Sequence, residues 1–86
     1  MAPETPRLHV DRSLDIRGVG SPDGYHRAVA KLCEMAEHEV LELSIDDGES
    51  LSTIPFGLRA EGHEILVSEP ANHGVRLLVR KRAPII

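Results

Sequence analysis

Aromatic residues are nearly missing from this chain: there is no tryptophan, and Tyr25 and Phe56 stand alone. So few rings leave little on which a nucleobase could stack. A basic excess is missing too. Ten Lys and Arg against fourteen Asp and Glu give a formal charge of -4, the wrong sign for a surface that neutralises phosphates, so no direct nucleic-acid partner is expected. Cys33 is the single cysteine, which rules out an internal disulfide. No apolar run approaches the ~20 residues that cross a bilayer, and no basic stretch followed by an apolar one stands at the N-terminus. No membrane partner is expected, and the expected location is cytoplasmic.

What is present fits one small domain. Its 86 residues, 41% of them hydrophobic, suffice for one modest core and no second one. Residues 1–7, with two prolines and no periodicity, read as a flexible leader, 8–82 as the domain and 83–86 as a tail.

The chain is organised around LDIRGVGSPDG, residues 14–24. Leu14 and Ile16 alternate with Asp15 and Arg17 as in a strand, and Gly18 and Gly20 free the backbone for a sharp turn. Ser21-Pro22-Asp23 then reads as a helix start: serine as N-cap, proline in the first helical position, an acid in the first turn. The side chain at position 21 is thereby expected on the positive end of a helix. Arg17, Gly18, Gly20, Pro22 and Asp23 form the corner around it.

Further along, Tyr25, Ala28, Val29, Leu32, Cys33 and Ala36 recur in steps of three and four, predicting an amphipathic helix of about four turns that ends near Glu37 or left-handed His38. Residues 40–45 alternate as a strand, with Leu41, Leu43 and Ile45 inward and Glu42 and Ser44 outward. A second helix is expected to start among residues 50–53 with Pro55 still in its first turn, to bury Leu51, Ile54 and Leu58, and to stop at Gly62. Residues 64–69 and 75–81 read as a hairpin joined by 70–74, with Ile65, Val67, Val75, Leu77 and Val79 inward. The order β-α-β-α-β-β predicts an α+β fold, a two-layer α/β sandwich with a four-stranded sheet covered on one face by both helices.

The strand and corner LDIRG followed by a residue-proline pair, IDDGES, Ile54-Pro55, EGHEIL and RLLVRK resemble, in this order, the TusA/SirA-like family of small sulfur-carrier proteins. The resemblance covers residues 14–81. It implies a mixed sheet in which the last strand lies between the second and third, antiparallel to both. It also implies a cysteine before the first proline of a Cys-Pro-X-Pro signature, which accepts a persulfide from a cysteine desulfurase or rhodanese-like donor and passes it to an acceptor protein. No cofactor is implied. Here the four positions read Ser21, Pro22, Asp23 and Gly24.

A serine hydroxyl cannot form the S–S bond of a persulfide, so the sulfurtransferase-like activity is blocked at Ser21 in this chain. Three readings stand: a carrier whose cysteine has been replaced, a cysteine-less adaptor or regulator that meets the same partners, and a module sharing only the fold. Cys33 is no substitute. It lies about 18 Å along the helix from position 21, and on the apolar face it reads as a small buried hydrophobe. His9, His26, His38, His63 and His73 show no metal spacing. Arg76, Arg80 and Arg82 share a parity and point to the wet face of the sheet, where they either pair with acids such as Glu42 and Glu64 or, with Leu78 as apolar centre, form a docking surface for a partner.

Overall fold

The computed structural model describes residues 9–20 and 22–82, apart from the side chains of Glu49 and Ser50. The alternating runs become strands β1 (Arg12–Asp15), β2 (Val40–Ile45), β3 (Glu64–Ala71) and β4 (Gly74–Arg80), and the amphipathic runs become α1 (Asp23–Glu34) and α2 (Glu49–Ala60). The sheet order is β1-β2-β4-β3. β1 pairs parallel with β2, while β4 runs antiparallel between β2 and β3, as the resemblance implies. Ala28 and Leu32 of α1 and Ile54 and Leu58 of α2 pack with Leu41, Leu43, Leu77 and Val79 in one core, so both helices cover the same face. The mixed α+β sandwich is the observed fold.

α1 is shorter than its periodicity predicts. It stops at Glu34 because Met35 turns extended, with φ -90° and ψ 154°, and because a distant residue takes over the helix end: Lys81 Nζ donates to the carbonyls of Leu32 at 2.5 Å and Met35 at 3.2 Å. His38 does adopt the left-handed conformation, with φ 76°. Its place is the turn into β2, where its N–H donates to Lys81 O at 2.8 Å.

α2 starts earlier than expected, at Glu49, so Pro55 lies inside the helix and is buried. Ile54 and Leu58 are in the core, whereas Leu51 is 40% exposed. That side chain sits in the first turn, beside Pro70 and Ala71 of the hairpin. The end at Gly62 is as read: with φ 98° there, Gly62 N–H donates to Arg59 O at 2.9 Å and His63 N–H to Leu58 O at 3.0 Å, the paired bonds of a Schellman motif that glycine accommodates without strain.

The hairpin turn is two residues, Asn72 and His73, because Pro70 stays in the ladder opposite Val75. A proline there is tolerated on an edge strand. The register shifts between Ile65 and Val67, so Ile65 faces Val79 and the core while Val67 faces Leu78 on the opposite side of the sheet. A bulge flips the parity of everything after it, and Val67 is therefore outward, contrary to its period-two reading.

Candidate functional site

β1 leaves the sheet at Ile16, whose N–H still donates to Ser44 O at 2.9 Å. Gly18 and Gly20 then take φ 79° and 85°, backbone states that side chains with a Cβ adopt at a cost. Two carboxylates hold the turn. Asp46, just past β2, accepts Gly18 N–H at 2.8 Å, and Asp15 accepts Arg17 N–H at 3.0 Å together with its guanidinium at 2.8 and 2.9 Å. The Arg17 side-chain and backbone bonds hold the Asp15 carboxyl at about 2, well below its ordinary 3.8.

Gly24 N–H donates to Gly20 O at 2.9 Å and His26 N–H to Pro22 O at 3.0 Å, so helical bonding begins at the corner itself. Pro22 sits at the N-cap with φ -91° and ψ 0°, and Asp23 is the first helical residue. The proline is thus one position earlier than expected, an offset within the ordinary ambiguity of helix ends. Ser21, expected as N-cap, lies outside the described residues.

A cavity of about 250 Å³ opens beside the corner. Its lining comes from Ile16, Pro22 and Tyr25 around the corner, Ile45 and Asp46 at the end of β2, and Ile54 and Gly57 of α2. Tyr25 forms a fixed wall: its hydroxyl donates to Gly57 O at 3.2 Å and lies 3.4 Å from Glu61 Oε2. Burial, then the Glu61 charge, raises the Tyr25 phenol above its ordinary value. Glycine at 57 makes this possible, since a Cβ there would lie 2.5 Å from the Tyr25 ring. Nothing in the sequence reading pointed to Tyr25, Asp46 or Gly57 as site residues. The one legible signal was a glycine inside a helix, where it costs about 1 kcal/mol relative to alanine.

Cys33 is exposed, which corrects its reading as a buried hydrophobe. The inward stripe is Ala28, Leu32 and Met35, and Cys33 lies about 100° around the helix from Leu32. On the open face of the sheet, Arg76 bridges Glu42 at 2.6 Å and Glu69 at 2.8 Å, and Arg80 and Arg82 both reach Glu64, at 3.2 and 3.3 Å. Leu78 lies beneath these pairs at 3% exposure, so it is a covered residue and offers no apolar tip to a partner. Among the described residues no cluster of three metal-ligating side chains occurs, and no helix is long and apolar enough to cross a membrane.

Fold and corner together define a class: a small two-layer α+β domain that presents the start of its first helix beside an apolar pocket. The family model described as Sulfurtransferase TusA matches residues 12–81. A protein of Archaeoglobus fulgidus described as "Putative sulfur carrier protein" is 30% identical over 80 residues, 92% of this chain and 91% of that protein. This chain belongs to the TusA sulfurtransferase family. Both similarities support a role in sulfur relay.

Proposed function

We propose that this protein meets sulfur-relay partners in the cytoplasm through its corner and does not itself carry the persulfide. The observation behind this reading is the serine at position 21 of a chain whose family resemblance assigns that position to the sulfur-bearing cysteine. A hydroxyl is not ionised at neutral pH and forms no S–S bond, so Ser21 cannot take sulfur from a donor. What remains is recognition: a donor of the cysteine desulfurase or rhodanese type, or the acceptor downstream, approaches the same corner. Arg17, Gly18, Gly20, Pro22 and Asp23 shape that approach. The corner's helical bonding also favours a second reading, a carrier in which serine replaces the cysteine, since a thiol at position 21 would lie where a helix start favours a thiolate.

Titration of the chain against a cysteine desulfurase and a rhodanese-like protein tests this. Gly20→Trp should abolish binding, while Arg76→Gln and Arg80→Gln should leave it within twofold, because those arginines are engaged by Glu42, Glu69 and Glu64. The reverse pattern would move docking to the open sheet face. Binding of neither protein would overturn the relay reading.

A further inference from the structure

The pocket beside the corner has the size of a side chain. At about 250 Å³ it falls below the roughly 300–1,000 Å³ typical of sites for drug-sized ligands, and its lining is apolar except for Asp46 and Thr53. Asp46 spends one oxygen on Gly18 N–H. Beside Asp46 the neighbouring charges are mostly acidic: Asp23 stands between the lining residues Pro22 and Gly24, and Glu61 lies against the Tyr25 hydroxyl. The cation of the corner, Arg17, is already held by Asp15.

We infer that this pocket seats one apolar side chain of a partner protein, presented by a segment with lysine or arginine on either side. An apolar anchor in a small preformed pocket is the usual centre of a protein interface, and a rim of opposite charge sets its register and specificity. The inference rests on the docking reading above and names the chemistry of the segment that docks. The pocket wall is built for permanence: Tyr25 is tied to α2, and α2 keeps a glycine at position 57 to admit the ring. A partner segment rich in acids meets repulsion at Asp23, Asp46 and Glu61 and is rejected.

The probes are blocked hexapeptides with a single Leu, Phe or Met between lysines, titrated into the intact isotope-labelled chain and followed by amide NMR. Shifts should centre on Ile16, Gly24, Tyr25, Asp46 and Gly57. Replacing the apolar residue by glycine, or the lysines by glutamate, should weaken binding at least tenfold. Asp46→Asn keeps an oxygen for Gly18 N–H and so keeps the corner, yet should weaken the lysine peptides about fivefold and reduce their salt dependence. Equal binding of glutamate peptides, or shifts confined to another surface, overturns the inference. So does binding of hexylamine with the peptides silent, which assigns the pocket to a small molecule, or shifts that grow with protein concentration alone, which assign it to a second copy. Sulfur uptake by Ser21→Cys is scored separately, so failure of the relay reading and failure of this one are distinguishable.

Discussion

The two ends of the helical layer are built differently. At the end where α1 and α2 finish, loose carbonyls are gathered in: Lys81 caps Leu32 and Met35, and the Schellman bonds of Gly62 and His63 close α2. At the end where the helices start, two carboxylates pin a glycine turn, and an apolar cavity stays open between α1 and α2. The contrast separates an end closed by hydrogen bonds from one that keeps a preformed cavity, where docking is proposed. Long-range bonds from Lys81, just past β4, seal the end of α1, so the corner can keep a cavity without loosening the sheet beneath it.

Substitutions should separate the ends. Leu58→Ala removes a fully buried side chain from the core beneath α2 and should cost about 2–5 kcal/mol in chemical denaturation. Lys81→Met removes two charge-assisted bonds and should cost about 1.5–3 kcal/mol. A loss under half of that would mean that α1 ends stably without its lysine, which breaks the comparison. Gly57→Ala in the cavity wall should change stability by less than about 1 kcal/mol, because the gain in helix propensity offsets the displaced ring. Its larger effect should be on the phenol. Tyr25 is the sole tyrosine, and ultraviolet titration should show its raised pKa falling back toward 10 once the ring leaves the cavity wall.

Acid should loosen the ends in sequence. Burial, reinforced by the Lys81 charge, lowers the His63 pKa below its ordinary 6.5, and Arg82 N–H donates to its Nδ1 at 3.2 Å. The unfolded chain binds that proton more readily, so this contribution is complete above 6.5 and is lost as pH falls through the lower folded value. Asp15 behaves likewise in a lower window: its contribution is complete above 3.8 and is lost as pH falls toward about 2. Amide protection factors, measured against the intrinsic rate at each pH, should therefore fall first around His63 and Arg82, and around Arg17 and Gly18 only at much lower pH. His63→Gln should flatten the first step and Asp15→Asn the second.

The fold was legible because its strands alternate and its helices repeat: Leu41, Leu43 and Ile45 on one side, Ala28 and Leu32 or Ile54 and Leu58 on the other, and Gly62 as the stop. The end of α1 and the pairing across the site were hidden because contacts distant in sequence decide them. The end of α1 depends on Lys81, some 46 residues from Met35, and no local signal announces it. The bulge between Ile65 and Val67 reversed Val67 with no glycine or proline at that point in the strand. Cys33 was placed by periodicity on a face wider than the two-layer packing covers. At the site, the corner glycines were readable from composition, whereas the pocket joins Tyr25 to Gly57 and Gly18 to Asp46 across 32 and 28 residues. Position 21 was legible only through family resemblance, since serine at a helix start is by itself an ordinary cap.

The central claim is that position 21 is the sulfur position and that serine silences it. It is tested most directly by whole-protein mass measurement after incubation with a cysteine desulfurase and cysteine. Because Cys33 is exposed, the comparison is made with Cys33→Ala in both proteins. The account predicts no added sulfur on Cys33→Ala alone, and one added sulfur atom, removable by a reducing thiol, once Ser21→Cys is combined with it. Failure of the combined variant to take sulfur, or removable sulfur on the chain that keeps Ser21, would contradict it.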